Sequence, residues 1–410
     1  ISDFLTADRS GMYEAIAQEV VIEHLEQFQN EIGIVYDQKQ IDAIMMFFKE
    51  DAMILTGGPG TGKTTVVRAM VELFKRLNPY MSIAVCAPTG RAAKRLSELT
   101  DVSATTIHRL LQWDLESNSF GVNENNPLTK DLVIIDEFSM VDQWLFYNLL
   151  KAGVHIKKML IIGDEDQLPS VGIGCVLKDI IDSSIFPLIR LNKIFRQAEG
   201  SDVIKLAHEV KEGACTTLDE GKDVKFFMAD QYQTKVIIID LIQEALKRGY
   251  QLSDIQVLAP KYSGVCGIDA LNNALQKTFN PKDDRKRELQ VGYRVYREND
   301  KILQLKNQPD DDVYNGDIGI LVEIIYANET DVKQNTLIID FDGIFVSYTP
   351  DSFINITHAY CVRIHKAQGS EYPIVIIPVL QQDIRMLSRR LLYTGITRAS
   401  KSLIMIGDKE

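Results

Sequence analysis

The run "ILTGGPGTGKTTVV" at residues 54–67 places four glycines and a proline between an apolar stretch and a helix-like one. Glycine at that density weakens any regular element, so it belongs where the backbone must curl tightly around something. The spacing Gly57-x-x-x-x-Gly62-Lys63-Thr64 is that of a loop whose N–H groups cradle a polyphosphate. Its members are Gly58, Pro59, Gly60, Thr61, Gly62, Lys63, Thr64 and Thr65. The N–H groups of Gly60 to Thr64 are placed to hold a β-phosphate, with a helix dipole behind them. Lys63 would neutralise β and γ oxygens, and the Thr64 hydroxyl would ligate Mg2+.

The metal needs a second anchor, and "DLVIIDEFSM" (131–140) offers Asp136 and Glu137 after a continuous apolar run. Two carboxylates at the edge of a buried strand are costly without a partner. Asp136 can hold the metal through its water shell while Glu137 polarises the attacking water. A third run, "KMLIIGDEDQLPSVGIG" (158–174), ends in Asp164, Asp166 and Gln167. The uncharged amide of Gln167 can sense a γ-phosphate by hydrogen bonding and report its loss.

These groups require a particular scaffold. "DAMIL" (51–55) reads as a short buried strand, and "TTVVRAMVELFKRL" (64–77) repeats apolar residues at helical spacing. With "VCAPTG", "VIIDE" and "LIIGD", each strand delivers chemistry at its C-terminal end, as in open parallel α/β sheets. Ahead of the loop, "MYEAIAQEVVIEHLEQF" (12–28) reads as an amphipathic helix with Ile16, Val20, Val21, Leu25 and Phe28 inward.

The chain has 410 residues, enough for two or three domains. No apolar run approaches the ~20 residues of a membrane span. It starts at Ile1, as a processed or truncated product would, and a lost upstream segment could have held an address signal or another domain. Cys86, Cys175, Cys215, Cys266 and Cys361 lie far apart without zinc-like spacing, which predicts reduced thiols in a cytoplasmic protein. The net charge of −12 argues mildly against a polyanionic partner, so any nucleic-acid site must be a local basic strip.

Eight blocks follow one another from residue 57 to 399: "GGPGTGKT", "APTGRAAKRLSE", "TTIHRLL", "VIIDEFSM", "GDEDQLPSVGIG", "IFRQA", "HKAQGSEYP" and "LLYTGITRA". The series resembles superfamily-one DNA helicases of the RecD-like branch, over roughly residues 36 to 410. The resemblance implies two RecA-like parallel-sheet lobes with ATP in the cleft between them. It also implies 5′-to-3′ movement on single-stranded DNA and unwinding of duplexes. In "YDQKQIDAI" it places Gln40 as the adenine reader, with Gln38 the rival if the register shifts by two. Arg196 and Arg398 fall at arginine-finger positions, where a planar guanidinium answers charge spreading over the γ-phosphate. Gly369 and Glu371 fall near the ribose and γ-phosphate, and His365 is a hinge or DNA-side contact.

The track implied is single-stranded DNA, with junctions between single and double strands. Pro88, Thr89 and Gly90 end a strand and precede Arg91, Lys94 and Arg95, all suited to backbone phosphates. Thr106, His108 and Arg109 suit phosphate contact or base stacking. Residues 113–130 suit a β-hairpin insertion, in relatives the pin that splits the duplex, with Phe120 as a tip residue. Lys261 and Asn272 or Asn273 are further strand contacts. From 282 the alternating runs read as a small β-barrel, SH3-like in relatives, with Tyr314, Asn315 and Gly316 in its "VYNGD" turn. The cluster Lys282, Arg285, Lys286 and Arg287 is either a phosphate contact or a solvated linker.

The implied division is an N-terminal remnant over 1–33, a first lobe over 34–190 and a second lobe from 191–281 and 359–410, with the barrel at 282–358. A monomeric cytoplasmic motor is expected, associated with the nucleoid when on DNA and with accessory repair proteins as possible partners. A motor subunit of a RecBCD-like exonuclease has the same energetics. A P-loop phosphotransferase would leave Gln167, Arg196 and Arg398 without a role. A catalytically dead clamp would have lost one of Lys63, Asp136, Glu137, Arg196 and Arg398, and all are present.

Overall fold

The computed structural model describes residue 13 and residues 16–114, 116–193, 195, 200–214, 221–329 and 333–408. The chain divides into two compact units, Ile1–Gly200 and Ser201–Glu410. The first unit contains strands β1 (Ala52–Gly57), β2 (Ile83–Ala87), β3 (Ala104–Thr106), β4 (Trp113–Asp114), β5 (Ser119–Phe120), β6 (Leu132–Ile135), β7 (Lys158–Gly163) and β8 (Leu188–Leu191). Its helices are α1 (Gln18–Ile32), α2 (Gln38–Lys49), α3 (Lys63–Leu77), α4 (Gly90–Thr100), α5 (Ile107–Leu110), α6 (Gln143–Ala152) and α7 (Val176–Ser183).

Six strands form one parallel sheet in the order β3-β2-β6-β7-β1-β8. Successive residues of a strand point to opposite faces, and helices cover both faces here, which is why the strands read as unbroken apolar runs. Ile54, Val133, Ile135, Met159 and Ile161 share a core with α6 and α7. Met53, Leu55, Leu132, Ile134, Leu160 and Ile162 share the opposite core with α1, α2 and α3. Helix α1 buries Val21, Leu25 and Phe28 as its pattern predicts. Val20 is a correction: it is 38% exposed, one position off the buried stripe.

Lys158, at the start of β7, is 1% exposed. Its ammonium donates to the carbonyls of Phe47, at 2.7 Å, and Glu50, at the C-terminal end of α2. It also lies 4.0 Å from the centre of the Tyr13 ring. Burial pulls its pKa down to about 8, against the opposing pull of Asp51 and Glu50. Lys158→Met would strip two helix carbonyls of their donor, and is expected to lower stability by about 2–4 kcal/mol in denaturant unfolding. The folded-state value lies below the ordinary 10.5, so the unfolded chain holds the proton more tightly between about 8 and 10.5. Wild-type stability should therefore rise across that window, and the gap to the variant should widen. A gap that is flat or narrows with pH would contradict this.

The second unit begins with α8 (Asp202–Glu212), β9 (Val224–Met228), α9 (Gln231–Lys247), β10 (Ile255–Ala259) and α10 (Ile268–Phe279). Then come β11 (Glu288–Val291), β12 (Arg294–Arg297), β13 (Lys301–Gln304), β14 (Ile318–Ile325), β15 (Thr336–Phe341), β16 (Ile344–Tyr348) and β17 (Ile356–His358). It closes with β18 (Cys361–Arg363), β19 (Tyr372–Val379), α11 (Arg389–Ile396) and β20 (Ala399–Gly407). A second parallel sheet runs β18-β10-β19-β20-β9. Between β10 and β18 the chain builds an antiparallel sheet, β16-β15-β14-β13-β17, and the β11–β12 hairpin. This insertion has its own core, including Tyr296, Leu321, Ile339 and Tyr348. Asp342 and Gly343, with φ of 54° and 93°, supply the two left-handed residues that a tight β15–β16 turn needs.

A buried polar hub joins the insertion to the parallel core. Asp300 is fully buried. Its Oδ1 accepts from Asn280 at 2.8 Å and Tyr360 at 2.9 Å. Its Oδ2 accepts from Gln276 at 2.6 Å, the Arg297 N–H at 2.7 Å and His358 Nε2 at 3.2 Å. Full satisfaction of this kind makes a dry carboxylate tolerable. Burial and the neighbouring Asp300 both push the Tyr360 phenol upward, so it stays a donor.

Candidate functional site

The glycine loop joins β1 to α3, the strand–loop–helix context that its spacing requires. Gly60 and Gly62 have φ of 72° and 80°. A Cβ on Gly62 would stand 2.5 Å from Gln40 Nε2, and one on Gly57 would stand 2.7 Å from the Leu191 carbonyl oxygen. Only glycine fits. Lys63 opens the helix and turns its ammonium onto the loop carbonyls of Gly57 and, at 3.0 Å, Gly58. The Thr61 hydroxyl donates to Gly58 O at 2.8 Å and closes the curl. A cation, a row of helix-start N–H groups and a dipole thus converge at one point.

Gln40 borders this loop and is 3% exposed. Its Oε1 accepts from the Asp37 N–H at 3.1 Å in a reciprocal cap of α2, which leaves the amide NH2 toward Gly62. Gln38, the alternative register, bonds Asp42 on an exposed face. Tyr36 donates to the Thr65 carbonyl at 3.3 Å, and Phe195 donates its N–H to Gly60 O at 3.2 Å. Sequence reasoning missed both; the only cue was that they adjoin Asp37 and Arg196. Arg196 itself lies outside the described residues.

At the end of β6, Asp136 is pushed up to about 6 by burial and by Glu137 beside it, while Lys63 and Arg95 pull the other way. Glu137 has φ of 49°, a left-handed conformation unusual for glutamate and of the kind stored at functional sites. Two adjacent carboxylates held against burial make a donor set that a divalent cation would relieve. Thr64, one residue into α3, is exposed. At the end of β7, Gln167 bonds Asp164 at 3.4 Å, and its buried Oε1 has no hydrogen-bond partner.

The nucleic-acid calls fare unevenly. Thr89 caps α4 by accepting from Ala92, and Thr106 caps α5 by accepting from Arg109. Arg91 is half-buried, and Lys94 and Arg95 lie on the exposed face of α4, opposite Ala92, Ala93 and Leu96. Pro88 and Gly90 flank the cap at the end of β2. The β4–β5 hairpin exists, but Phe120 is not its tip. It is 7% exposed and packs against Trp113 at 4.7 Å and Trp144 at 5.0 Å, with His108 at 6.1 Å. Burial also lowers the His108 pKa.

Asn272 is a second correction. Its side chain is buried with both ends on the Cys361 backbone, at 2.8 and 2.9 Å, while Asn273 is the exposed member of the pair. Lys261 is ion-paired with the buried carboxylate of Asp383. The Lys282–Arg287 cluster is neutralised at Glu288, Asp283 and Glu329, with Lys286 on Asn280.

In the second unit, Arg398 is 5% exposed and donates to Thr394 O, Ser370 O and Thr397 Oγ1, each at 3.1 Å. Gly369 has φ of 73°, Glu371 is exposed, and the half-buried His365 is held below its usual range by burial and by Arg363. Cys86, Cys175, Cys266 and Cys361 are free thiols, and Cys215 lies outside the described residues. Among the described residues no helix is long and apolar enough to cross a membrane.

Two parallel α/β units, the first with a phosphate loop and strand-end carboxylates, define a RecA-like P-loop fold. Family comparison agrees: residues 40–173 match an AAA domain, 271–341 the SH3 domain of ATP-dependent RecD-like DNA helicases, and 358–406 the UvrD-like helicase C-terminal domain. The ATP-dependent RecD2 DNA helicase of Deinococcus radiodurans is 34% identical over 87% of this chain. The chain spans 47% of that relative's length. The RecBCD enzyme subunit RecD of Mycolicibacterium smegmatis is 28% identical over 90% of this chain and 71% of its own. The fold resembles Pif1 helicase from Candida albicans, with TM-score 0.54 and 18% identity, covering 91% of this chain and 95% of that one. It also resembles Bacteroides Pif1 bound to single-stranded DNA, with TM-score 0.52 and 17% identity, covering 91% and 92%. Over most of its length the chain is similar to RecD-like helicases.

Proposed function

We propose that this chain is an ATP-dependent DNA helicase motor that moves 5′-to-3′ along single-stranded DNA and opens duplexes ahead of it. The observation that carries the reading is the Lys63-bearing loop beside the Asp136–Glu137 pair. In this reading Lys63 and the loop N–H groups bind the triphosphate, and Glu137 orients and deprotonates the attacking water. Gln167 registers the γ-phosphate through its amide NH2, the end of the side chain able to donate to phosphate oxygens. Arg196 and Arg398 answer the charge that develops as the bond breaks. Thr64 and Asp136 would hold Mg2+, which supplies charge neutralisation at the phosphates when bound. The raised Asp136 fits that role.

Residues 282–358 act in this proposal as a barrel module over the strand, and residues 113–130 as the element meeting the duplex. A cytoplasmic location goes with it. The RecD relative, named as a subunit of the RecBCD enzyme, gives a second reading in which the motor works only with partner subunits. Strand displacement on duplexes with 5′ or 3′ single-stranded tails tests both. ATP-dependent release from the 5′-tailed substrate alone is expected. Release from 3′ tails alone would reverse the polarity. Nucleotide hydrolysis stimulated by single strands without any displacement would favour the subunit reading.

A further inference from the structure

A bare sheet edge is a template for pairing with another chain, and proteins blunt it with short strands, charges or proline. The outer strands of the three large sheets mostly follow that habit. Strands β3, β17 and β18 are three residues long, and β8 and β9 carry Arg190 and Lys225. Strand β16 departs from it. Its residues Ile344, Phe345, Val346, Ser347 and Tyr348 include neither a charge nor a proline, and among the described residues no strand pairs with its far side.

The hairpin decides which groups that far side presents. Phe341 pairs with Ile344 across the two-residue turn at Asp342 and Gly343. Pairs on an antiparallel ladder alternate between exchanging backbone bonds and not exchanging them, and the pair that closes a two-residue turn exchanges them. Ile344, Val346 and Tyr348 therefore direct their N–H and C=O groups to β15, while Phe345 and Ser347 aim theirs outward. The side chains of Phe345 and Ser347 lie on the outer face, because those of Val346 and Tyr348 belong to the barrel core.

That outer face is apolar in the middle and acidic around it. Phe345 is 64% exposed, Ile320 and Val322 on β14 are exposed as well, and half-buried Ile338 lies on the strand between. A register shift between Leu321 and Glu323 turns both Val322 and Glu323 outward. Residues 318–325 and 336–352 hold Glu323, Asp340, Asp342 and Asp351, and no lysine, arginine or histidine. Asp340 sits in the row between Ile320 and Phe345, and small Ser347 leaves the diagonal toward it open. Contiguous exposed apolar surface with a polar rim marks an interaction site.

We infer that β16 and the outer face of β14–β16 dock an extended basic segment of a partner protein, which adds to the sheet as a further strand. The segment bonds the outward backbone groups of Phe345 and Ser347, the mode in which an open edge takes up a peptide. It places an apolar side chain beside Phe345 and, two residues away on the same face, a lysine or arginine that crosses Ser347 toward Asp340. Charge decides the occupant. A second copy of this chain would gather the same carboxylates on both sides of the seam, and like charges across strands destabilise the pairing. A nucleic-acid backbone would meet those acids with its own negative charge.

The test uses the whole chain and fluorescent peptides of repeated Val-Thr-Lys-Thr, which alternate valine and lysine on one face. Anisotropy should show saturable binding, at least about tenfold weaker when glutamate replaces lysine in the peptide. Amide exchange read by mass spectrometry should slow most over residues 344–348. Phe345→Ser should weaken binding at least about tenfold, the scale of a central aromatic anchor. Ser347→Pro removes one outward N–H and leaves the bonds to β15 in place, so it should block binding in a folded protein. Absent binding, equal binding of the lysine and glutamate peptides, slowing centred on another segment, or full affinity in folded Ser347→Pro would each overturn the inference. So would amides of Phe345 and Ser347 already slow in the free chain, whether at every concentration, which means cover from within the chain, or only where sedimentation shows a dimer. Wild-type exchange is read even where a variant fails to fold.

Discussion

Lys63→Ala is expected to cut nucleotide hydrolysis by about 10³-fold or more, while affinity for single-stranded DNA stays within about threefold of wild type. The ammonium donates to the loop carbonyls of both Gly57 and Gly58. It also opposes the upward push on Asp136, so its loss leaves the carboxylate pair less balanced. The loop carbonyls it leaves are only half-buried and can turn to water, so the fold should survive. Steady-state hydrolysis and fluorescence anisotropy on a labelled oligonucleotide separate the two effects. Hydrolysis at the wild-type rate would remove the phosphate assignment. Binding lost in parallel with hydrolysis would mean that the loop also organises the nucleic-acid contacts.

The second large effect belongs to Arg398. Arg398→Ala should lower turnover by ~10³-fold or more, the scale of lost transition-state charge stabilisation. In the structure its guanidinium is occupied by Thr394 O, Ser370 O and Thr397 Oγ1. A catalytic role therefore requires that it exchange some of those bonds for phosphate oxygens. Removing it also strips two carbonyls of a donor, so a stability loss of about 1–3 kcal/mol should accompany the kinetic one. Arg398→Lys separates the two, because a lysine keeps charge and one bond but lacks the planar fork. A turnover loss below about tenfold in the alanine variant, with the fold intact, would assign this arginine to structure alone.

What could be read from the chain divides along physical lines. Parallel strands buried on both faces announce themselves as apolar runs, so β1, β2, β6 and β7 and the acids that end them were legible, as was the glycine loop. The alternating pattern after residue 282 likewise shows an antiparallel sheet. Partners distant in sequence were not legible. Phe120 looked like a hairpin tip because its polar neighbours suggested solvent; its packing is decided by Trp144, on another element. Asn272 and Lys261 read as surface groups because nothing local shows that Cys361 and Asp383 will claim them. Lys158 gave no signal, since its partners are backbone carbonyls. Helix caps such as Thr89 and Thr106 have local signatures, but the same hydroxyls also suit phosphate contacts, and residue type alone does not separate the uses.

The hub at Asp300 bears on how force would pass through the second unit. One carboxylate is shared by α10 and its cap, the end of β12, the end of β17 and Tyr360, so the insertion has no compliant joint at that corner. Dry, fully satisfied networks yield only at considerable expense. Tension applied at the Asn315 turn would therefore reach the parallel strands as a rigid displacement, with little slack taken up on the way.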